Sequence, residues 1–302
     1  MTRFLSSLLL VALLAALLPT GDPGVARASD QASEPAAASR VLSVSPAQAG
    51  PAAGPSAEPA PRPAPEIAAA PEIILGESAT RYASYGRLRG RAANVELAAH
   101  KLDGAVIEPG AVLSFNDRVG ERSGDAGFRP APVIASGRVR TGMGGGVCQV
   151  TSTLHAAALE AGLEVVEHRP HSRPSSYIDM GLDATVVWDR IDFKVRNPHP
   201  FPVVVSALAA DGRVAVRVMG AEAAGDAGVE TKLLRELPIR EEIVQDPALA
   251  SGVRVVDRQG RAGYVVRVVH TDGTGQRTVR RIRYDAVSSV VRVGALAAPA
   301  QG

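Results

Sequence analysis

The spacing of apolar residues changes once along this chain, and that change limits the folds it can adopt. Within residues 91–102 the apolar side chains recur at helical spacing, which predicts a helix. From Ile191 onward apolar and polar residues alternate, which is typical of half-buried strands. This order predicts an α+β fold in which helices are followed by an antiparallel sheet, with a small all-β module at residues 229–295.

The N-terminal residues are predicted to lie outside the folded domains. Residues 1–28 contain an early arginine, an apolar run and a terminal A-x-A pattern, which predict a secretory signal peptide. A retained anchor is the alternative, but the run is shorter than the roughly 20 residues of a spanning helix. We therefore expect an extracytoplasmic protein of the periplasm or cell envelope, with no stable membrane span after cleavage. Residues 29–71 are rich in Ala and Pro and are predicted to be a disordered linker. Residues 72–220 are predicted to form the first domain.

The overall charge limits the class of partner. The formal net charge is +2, so nothing indicates binding of nucleic acid. No cofactor is expected.

The chain has a single cysteine, Cys148, which follows Gly144, Gly145 and Gly146 and begins a predicted helix. A helix N-terminus favours the thiolate, which is the nucleophilic form of cysteine. The glycines would let a substrate approach the backbone and could present N–H groups to an oxyanion. The alternative is that they form a tight turn in which the cysteine packs as a small apolar residue.

Two nearby residues are candidates for contact with a substrate. Gln149 follows the cysteine directly, and Asn116 follows a short strand predicted over residues 112–115. Asn116 could equally cap a turn.

The loop predicted at residues 168–183 supplies candidates for a general base. His171 is preferred and His168 is second, with a further possible role in substrate binding, because this loop can return to the start of the cysteine helix. His155 would lie roughly 10 Å along that helix, too far for proton transfer. Asp183, expected at the start of a strand, is the preferred residue to orient the histidine, and Asp192 is the other candidate.

A zinc site is a weaker alternative for the same region. Cys148, His168, His171 and Asp183 are residue types that bind zinc. The two histidines flank Arg169 and Pro170, which is not a rigid ligand pair, so no metal is predicted.

Motifs spread over residues 80–220 resemble those of the VanW-like domain family, named for a protein of vancomycin-resistance clusters. The most specific is Gly144-Gly145-Gly146-Val147-Cys148-Gln149-Val150. The other matching segments, in chain order, include Arg91-Ala92-Ala93-Asn94, Leu113-Ser114-Phe115-Asn116, Ala131-Pro132-Val133-Ile134, Pro170-His171-Ser172 and Asp183-Ala184-Thr185-Val186. The resemblance implies an extracytoplasmic module of the cell envelope and carries no established activity.

Two further resemblances concern the ends of the folded part. Gly252, Gly260, Gly263 and the predicted strand 277–284 resemble the G-five module, which is proposed to bind amino sugars of the wall. The cysteine helix and the strand after it are similar to the core of transglutaminase- or papain-like cysteine enzymes. In those enzymes a histidine and an aspartate come from later strands, which implies the roles given to His171 and Asp183.

Two hypotheses of function follow. In the first, the protein is a cysteine-type peptidase or transpeptidase that acts on an amide bond in the peptide part of peptidoglycan. In the second, it is a non-catalytic module that binds peptidoglycan or its stem peptides, with a second contact from the C-terminal β module.

Overall fold

The computed structural model describes residues 73–135, 138–223 and 225–295. The predicted signal peptide and linker lie outside these residues. Within the described ranges, no helix combines the length and the apolar character needed to cross a membrane. A single turn of 3₁₀-helix, Gly86–Leu88, precedes the α-helices. The α-helices are α1 (Arg89–Leu102), α2 (Phe115–Val119) and α3 (Val147–Glu160).

The strands form mostly antiparallel sheets, so the architecture is mainly β with a smaller helical part. The strands of the first part are β1 (Ile73–Arg81), β2 (Ala105–Ile107), β3 (Val112–Ser114), β4 (Pro130–Ala135), β5 (Arg138–Met143), β6 (Glu164–Glu167), β7 (Lys194–Arg196), β8 (Val203–Ala210) and β9 (Arg213–Gly220). The strands of the second part are β10 (Gly228–Leu237), β11 (Glu241–Asp246), β12 (Arg254–Arg258), β13 (Gly263–Thr271), β14 (Arg277–Tyr284) and β15 (Ser289–Gly294).

The main hydrophobic core lies between the two long helices and a four-stranded antiparallel sheet in the order β1, β9, β8, β2. Helix α3 packs against β1 and β9, and α1 packs against β8 and against α3. Val95 and Leu102 of α1, Leu154 of α3 and Val216 of β9 are fully buried in this core. The helical spacing in residues 91–102 therefore correctly predicted α1 and its buried face.

Helix α3 is buried on almost all sides although it contains a run of hydroxyl residues. Thr151, Ser152 and Thr153 each donate to the carbonyl four residues earlier, at 3.2, 2.7 and 2.8 Å. These bonds satisfy the hydroxyls locally, which is what allows polar side chains inside a core. At Gly76, β1 runs so close to α3 that a Cβ would lie 2.4 Å from the Ala157 carbonyl oxygen.

Two smaller sheets complete this part of the fold. One has the order β3, β7, β6 and the other is the hairpin of β4 and β5. The connection from β6 to β7 is a long loop that returns to the helix start and carries His171 and Asp183.

The C-terminal part consists of two three-stranded sheets in the orders β10, β13, β14 and β11, β15, β12. The pair of β11 and β15 is parallel, and the other pairs are antiparallel. Its small core contains Val266, Val268, Ile282 and Tyr284, and Met180 of the long loop packs against it.

Three sequence predictions about the helices and strands need correction. Strands β1 to β5 all precede α3, so helices do not come first. Asp183 does not begin a strand, because the backbone around it bonds to the loop itself: Thr185 N–H donates to the Arg169 carbonyl at 2.8 Å. The strand expected from Ile191 is shortened to Lys194–Arg196, since Ile191 turns back onto Val187 instead.

Candidate functional site

A tight glycine turn sets the position of Cys148 at the start of α3. Val147 N–H donates to the Gly144 carbonyl at 3.1 Å. Gly146 has φ +112°, a conformation that L-residues with side chains rarely adopt, and a Cβ there would lie 2.9 Å from Val95. The turn therefore requires glycine for packing as well as for backbone shape.

Asn94 of α1 holds this turn through hydrogen bonds and is fully buried. Its amide nitrogen donates to the carbonyls of Gly145 (3.0 Å) and Arg129 (2.9 Å), and its amide oxygen accepts from Arg129 N–H at 2.7 Å. All the hydrogen bonds of this amide hold backbone in place, so the start of α3 is rigid before any ligand arrives.

The Cys148 thiol is half-buried and lies beside the long loop. It donates to the Val186 carbonyl at 3.5 Å. In the described part of the chain, the Cys148 N–H has no backbone acceptor, whereas the N–H groups of Val147 and Gln149 are used by Gly144 and Gly146. A free donor thus lies directly beside the sulfur.

His171 and Asp183 are held together within the long loop. One carboxylate oxygen of Asp183, Oδ2, accepts from the His171 backbone N–H at 2.7 Å and from its ring Nδ1 at 2.8 Å. This bond occupies Nδ1 and leaves the opposite ring nitrogen, Nε2, available to a group in the cleft that His171 and Cys148 both line. Ser175 lies 3.3 Å from the same Nδ1. Asp183 is fully buried, and His171 is 15% exposed.

The charges of these groups support one another. Burial opposes ionisation of Cys148, but the interaction with His171 and the positive charge of Arg122 together lower the pKa of the thiol. Burial opposes protonation of His171, but Asp183 and Cys148 raise its pKa to about 9. Burial also opposes ionisation of Asp183, whose pKa is nevertheless lowered by His171 and Tyr284. The arrangement favours a thiolate–imidazolium pair with a carboxylate behind it.

The second oxygen of Asp183 is held by the C-terminal β module. The hydroxyl of Tyr284, on β14, donates to Asp183 Oδ1 and accepts from Gly181 N–H at 2.8 Å. Tyr284 is fully buried. The carboxylate is thus fixed between a histidine of its own loop and a tyrosine about one hundred residues later in the chain.

Cys148 and His171 open into a cleft with a volume of about 480 Å³. Its walls come from the glycine turn, the hairpin of β4 and β5, and the long loop. The side chains of Arg91, Arg122, Tyr177 and Trp188 line it as well. The cleft is large enough for a peptide-sized ligand and combines apolar walls with charged groups.

One segment of the chain matches a known family model. Residues 90–219 match the family model described as VanW like protein. This segment is therefore similar to the VanW-like family. A protein of Bacillus subtilis, named uncharacterized protein YoaR, is 34% identical over 164 residues, covering 54% of this chain and 52% of that protein. The vancomycin B-type resistance protein VanW of Enterococcus faecalis is 34% identical over 109 residues, covering 34% of this chain and 40% of that protein. The chain therefore spans about half the length of these relatives, or less.

Solved structures of G5 domains are also similar to part of the chain. The G5 domain of IgA1 protease covers 23% of it at 20% identity, with a TM-score of 0.19. The crystal structure of HP0197-G5 covers 23% at 22% identity, with a TM-score of 0.17.

The other histidines of the VanW-like domain lie away from the cleft. His168 Nε2 bonds to the Asp183 carbonyl at 2.8 Å, and its ring stacks on His155 with centroids 4.2 Å apart. His155 is buried in α3 and bonds to the Leu182 carbonyl at 2.8 Å. Together with His270 of β13 they line a small closed cavity. His168 is therefore placed neither to contact a ligand in the cleft nor to act as a base for Cys148.

Two predicted site residues hold structure rather than face the cleft. Asn116 is buried and donates to the carbonyls of Val187 (3.3 Å) and Ile191 (3.0 Å). Asp192 accepts from the backbone N–H of Asn116 at 2.9 Å and from Ser114 at 2.6 Å, at the start of α2. Asp192 is nearly buried, and the His171 ring bonds to Asp183 instead, so Asp192 does not orient the histidine.

Gln149 borders the cleft, but its amide group is used inside the protein. Its nitrogen donates to Thr80 Oγ1 and to the Arg81 carbonyl, both at 2.9 Å, and its oxygen accepts from Arg91 at 2.6 Å. Its position suits the support of Arg91 better than direct contact with a substrate.

Among the described residues, no group of three or more His, Cys, Asp or Glu side chains is arranged to hold a metal ion. Within the proposed zinc set, His168 directs Nε2 to a backbone carbonyl and His171 directs Nδ1 to Asp183.

The sequence analysis did not identify Arg91, Arg122 or Tyr284 as residues of the site. The arginines come from α1 and from the loop after α2, and Tyr284 comes from another module. Arg91 could have been identified from the sequence, because it lies in one of the motifs that resemble the VanW-like family.

Proposed function

We propose that this protein is a cysteine-dependent enzyme of the cell envelope that hydrolyses or transfers an acyl group at an amide bond in the peptide part of peptidoglycan. Its VanW-like domain supports an association with the cell envelope, as does the similarity to a vancomycin B-type resistance protein. The predicted signal peptide is consistent with that location.

The observation that carries the proposal is the arrangement of Cys148, His171 and Asp183 at one cleft. A cysteine at a helix N-terminus, paired with a histidine that a carboxylate orients, is the arrangement of an activated thiol nucleophile. Transglutaminase- and papain-like enzymes share it, and the proposal includes a functional likeness to them. Here both partners of the cysteine lie in one loop rather than on later strands.

In the proposed reaction, the Cys148 thiolate attacks the amide carbonyl and forms a tetrahedral intermediate. The oxyanion is stabilised by the Cys148 N–H, the donor beside the sulfur that has no backbone acceptor. The C–N bond then breaks, and the His171 imidazolium gives its proton to the leaving amine. This leaves a thioester at Cys148 and a neutral imidazole.

The second half of the reaction releases the acyl group. Water or an acceptor amine attacks the thioester carbonyl, and neutral His171 takes a proton from the attacking group. The thiolate then leaves. Water gives hydrolysis, and an amine gives transfer. Asp183 keeps the imidazole in the same orientation in both halves, because its Oδ2 holds Nδ1 throughout.

The test uses the protein from Ser29 onward, incubated with muropeptides prepared from peptidoglycan and analysed by mass spectrometry. We expect cleaved or transferred peptides with the unaltered protein and none with Cys148→Ser or Cys148→Ala. A thioester adduct on Cys148, absent from Cys148→Ala, would identify the nucleophile. His100→Ala, an exposed change on α1, is the control and should retain turnover.

The same variants decide against the alternative hypothesis. If Cys148→Ser binds peptidoglycan as well as the unaltered protein and neither preparation changes any muropeptide, the protein is a binding module. Iodoacetamide labelling of Cys148 gives an independent check. An apparent pKa below the free-thiol value of about 8.5 supports the thiolate pair, and labelling only after denaturation contradicts it.

A further inference from the structure

Two arginines enter the cleft beside Cys148 without a carboxylate partner. Arg91 and Arg122 are both partly buried and both line the cleft. Among the described residues, the ion pairs involve other basic side chains and neither of these two. Burying a guanidinium without a counter-charge costs free energy. A bound anion would supply the missing charge.

Both guanidiniums are held in place by neutral acceptors. Arg91 donates to Gln149 Oε1 at 2.6 Å. Arg122 donates to Asn116 Oδ1 at 2.7 Å and to the Gly120 carbonyl. These contacts orient the groups while leaving their positive charge uncompensated, so the site is organised before a ligand binds.

Aromatic rings position Arg122 further. Its guanidinium carbon lies 5.5 Å from the centre of the Phe115 ring and 5.7 Å from that of Trp188. Two neighbouring rings restrict the group without supplying a full counter-charge. Trp188 also borders the cleft, so the arginine lies where a ligand could contact both.

The surrounding charges agree with an anion site. Burial lowers the pKa of Arg91 and lowers that of Arg122 to about 10, so Arg122 stays protonated near neutral pH. The negative groups that act on Arg122 are the Cys148 thiolate and the Asp192 carboxylate, and the latter is occupied by Ser114 and by two backbone N–H groups. The Cys148 thiolate is already paired with His171.

We propose that Arg91 and Arg122 bind a free carboxylate of a peptide substrate whose attacked amide carbonyl lies at Cys148. Planar guanidiniums bind carboxylates in a directed manner, which suits the recognition of a peptide that carries a carboxylate close to the reacting bond. This inference rests on the proposed function, since it names the substrate class for the same thiol. A peptide in which this carboxylate is replaced by an amide would be a poor substrate.

The first test compares two alkylating reagents on native Cys148. Iodoacetate carries a carboxylate and iodoacetamide does not, and both react with the same thiolate. The ratio of their rates is therefore independent of the pKa of the thiol, which Arg122 also influences. We expect the iodoacetate-to-iodoacetamide ratio to fall about three- to tenfold in Arg122→Gln and in Arg91→Gln.

Two further variants keep this comparison interpretable. Arg122→Lys retains the charge and should give an intermediate ratio. Arg118→Gln removes an exposed arginine that donates to the Asp103 carbonyl outside the cleft, and its ratio should match the unaltered protein. Circular dichroism verifies that each variant is folded.

A peptide probe gives a second readout. N-acetyl-alanyl-alanine should slow iodoacetamide labelling of Cys148, and its C-terminal amide should not. Equal protection by acid and amide, or a ratio unchanged in both Gln variants, overturns the carboxylate site while the thiol mechanism stands. If neither reagent labels native Cys148, both the inference and the proposed function are overturned.

Discussion

His171 and His168 both bond to Asp183, and their environments give them opposite acid–base behaviour. His171 faces the open cleft and bonds to the carboxylate, which with Cys148 raises its pKa to about 9. His168 bonds to the backbone carbonyl of the same aspartate, and burial lowers its pKa. A single residue therefore supplies a charged partner on one side and a neutral partner on the other.

The closed side is reinforced by the C-terminal module. Burial also lowers the pKa values of His155 and His270, and Arg280 of β14 disfavours their charged forms further. Burial near a positive charge therefore favours neutral histidine, whereas burial beside a fixed carboxylate and a thiol favours the cation. Three predictions test this difference, beginning with the largest expected effect.

The largest loss of turnover is expected from replacing His171, the proposed base in the cleft. His171→Asn retains a donor near Asp183 but has no group that can accept a proton from Cys148. We expect turnover to fall by about a hundredfold or more, and the pKa of the thiol to rise towards about 8.5. Alkylation of Cys148 as a function of pH measures the second effect.

His168→Gln is the matched variant on the closed side. Its amide can still donate to the Asp183 carbonyl, so the thiol should keep its low pKa and its reactivity. A loss of reactivity equal to that of His171→Asn would contradict the division of roles between the two histidines.

An intermediate effect is expected from Tyr284→Phe, which removes the hydroxyl between Gly181 and Asp183. Two buried groups then lose a partner, so the free energy of unfolding should fall by about 1–3 kcal/mol. The pKa of Asp183 should rise with the loss of this donor, and labelling of Cys148 should slow. Chemical denaturation and alkylation measure the two effects.

The matched control is Tyr264→Phe. Tyr264 lies opposite Tyr284 on β13 and is only partly buried, and the described residues provide no hydrogen-bond partner for its hydroxyl. We expect little change in either measurement. If the two variants behave alike, Tyr284 contributes packing rather than support of the carboxylate.

The smallest effect concerns stability below neutral pH. Histidines whose pKa is lower in the folded state bind fewer protons there than in the unfolded chain, so the stability they contribute is lost as pH falls below about 6.5. Each such histidine reduces the free energy of unfolding by up to about 1.4 kcal/mol per pH unit. His155→Asn retains a donor to the Leu182 carbonyl and removes one of these titrations.

The expected result is a shallower decline in stability between pH 6.5 and 5 for His155→Asn, measured by chemical denaturation. His100→Gln, on the exposed face of α1, should leave the profile unchanged. The cleft pair contributes with opposite signs above pH 6.5. His171, whose pKa is raised to about 9, loses stabilising free energy as pH rises, whereas Cys148, whose pKa is lowered, opposes that loss up to the free-thiol value of about 8.5. An unchanged slope for His155→Asn would contradict a neutral histidine on the closed side.

Local patterns of sequence predicted much of the folded part. The spacing in α1 and α3 predicted both long helices, and the motifs around Cys148 predicted the match to the VanW-like family model. The order of elements was predicted in part, since the strand at Val112–Ser114 was expected before α3 and β1, which precedes α1, was not. Asp183 was expected on a strand because alternation over a few residues resembles one, whereas its backbone bonds within the loop.

The sequence by itself determined where a cysteine helix begins and why glycine must precede it, because helix starts and tight turns depend on neighbouring residues. Only the tertiary structure decided which polar groups meet. Tyr284 lies 101 residues from Asp183, and Arg91 lies 58 residues from Gln149. Such pairs depend on how the sheets and modules pack, and the same packing determines whether a histidine faces a carboxylate at an open cleft or a carbonyl in a closed cavity.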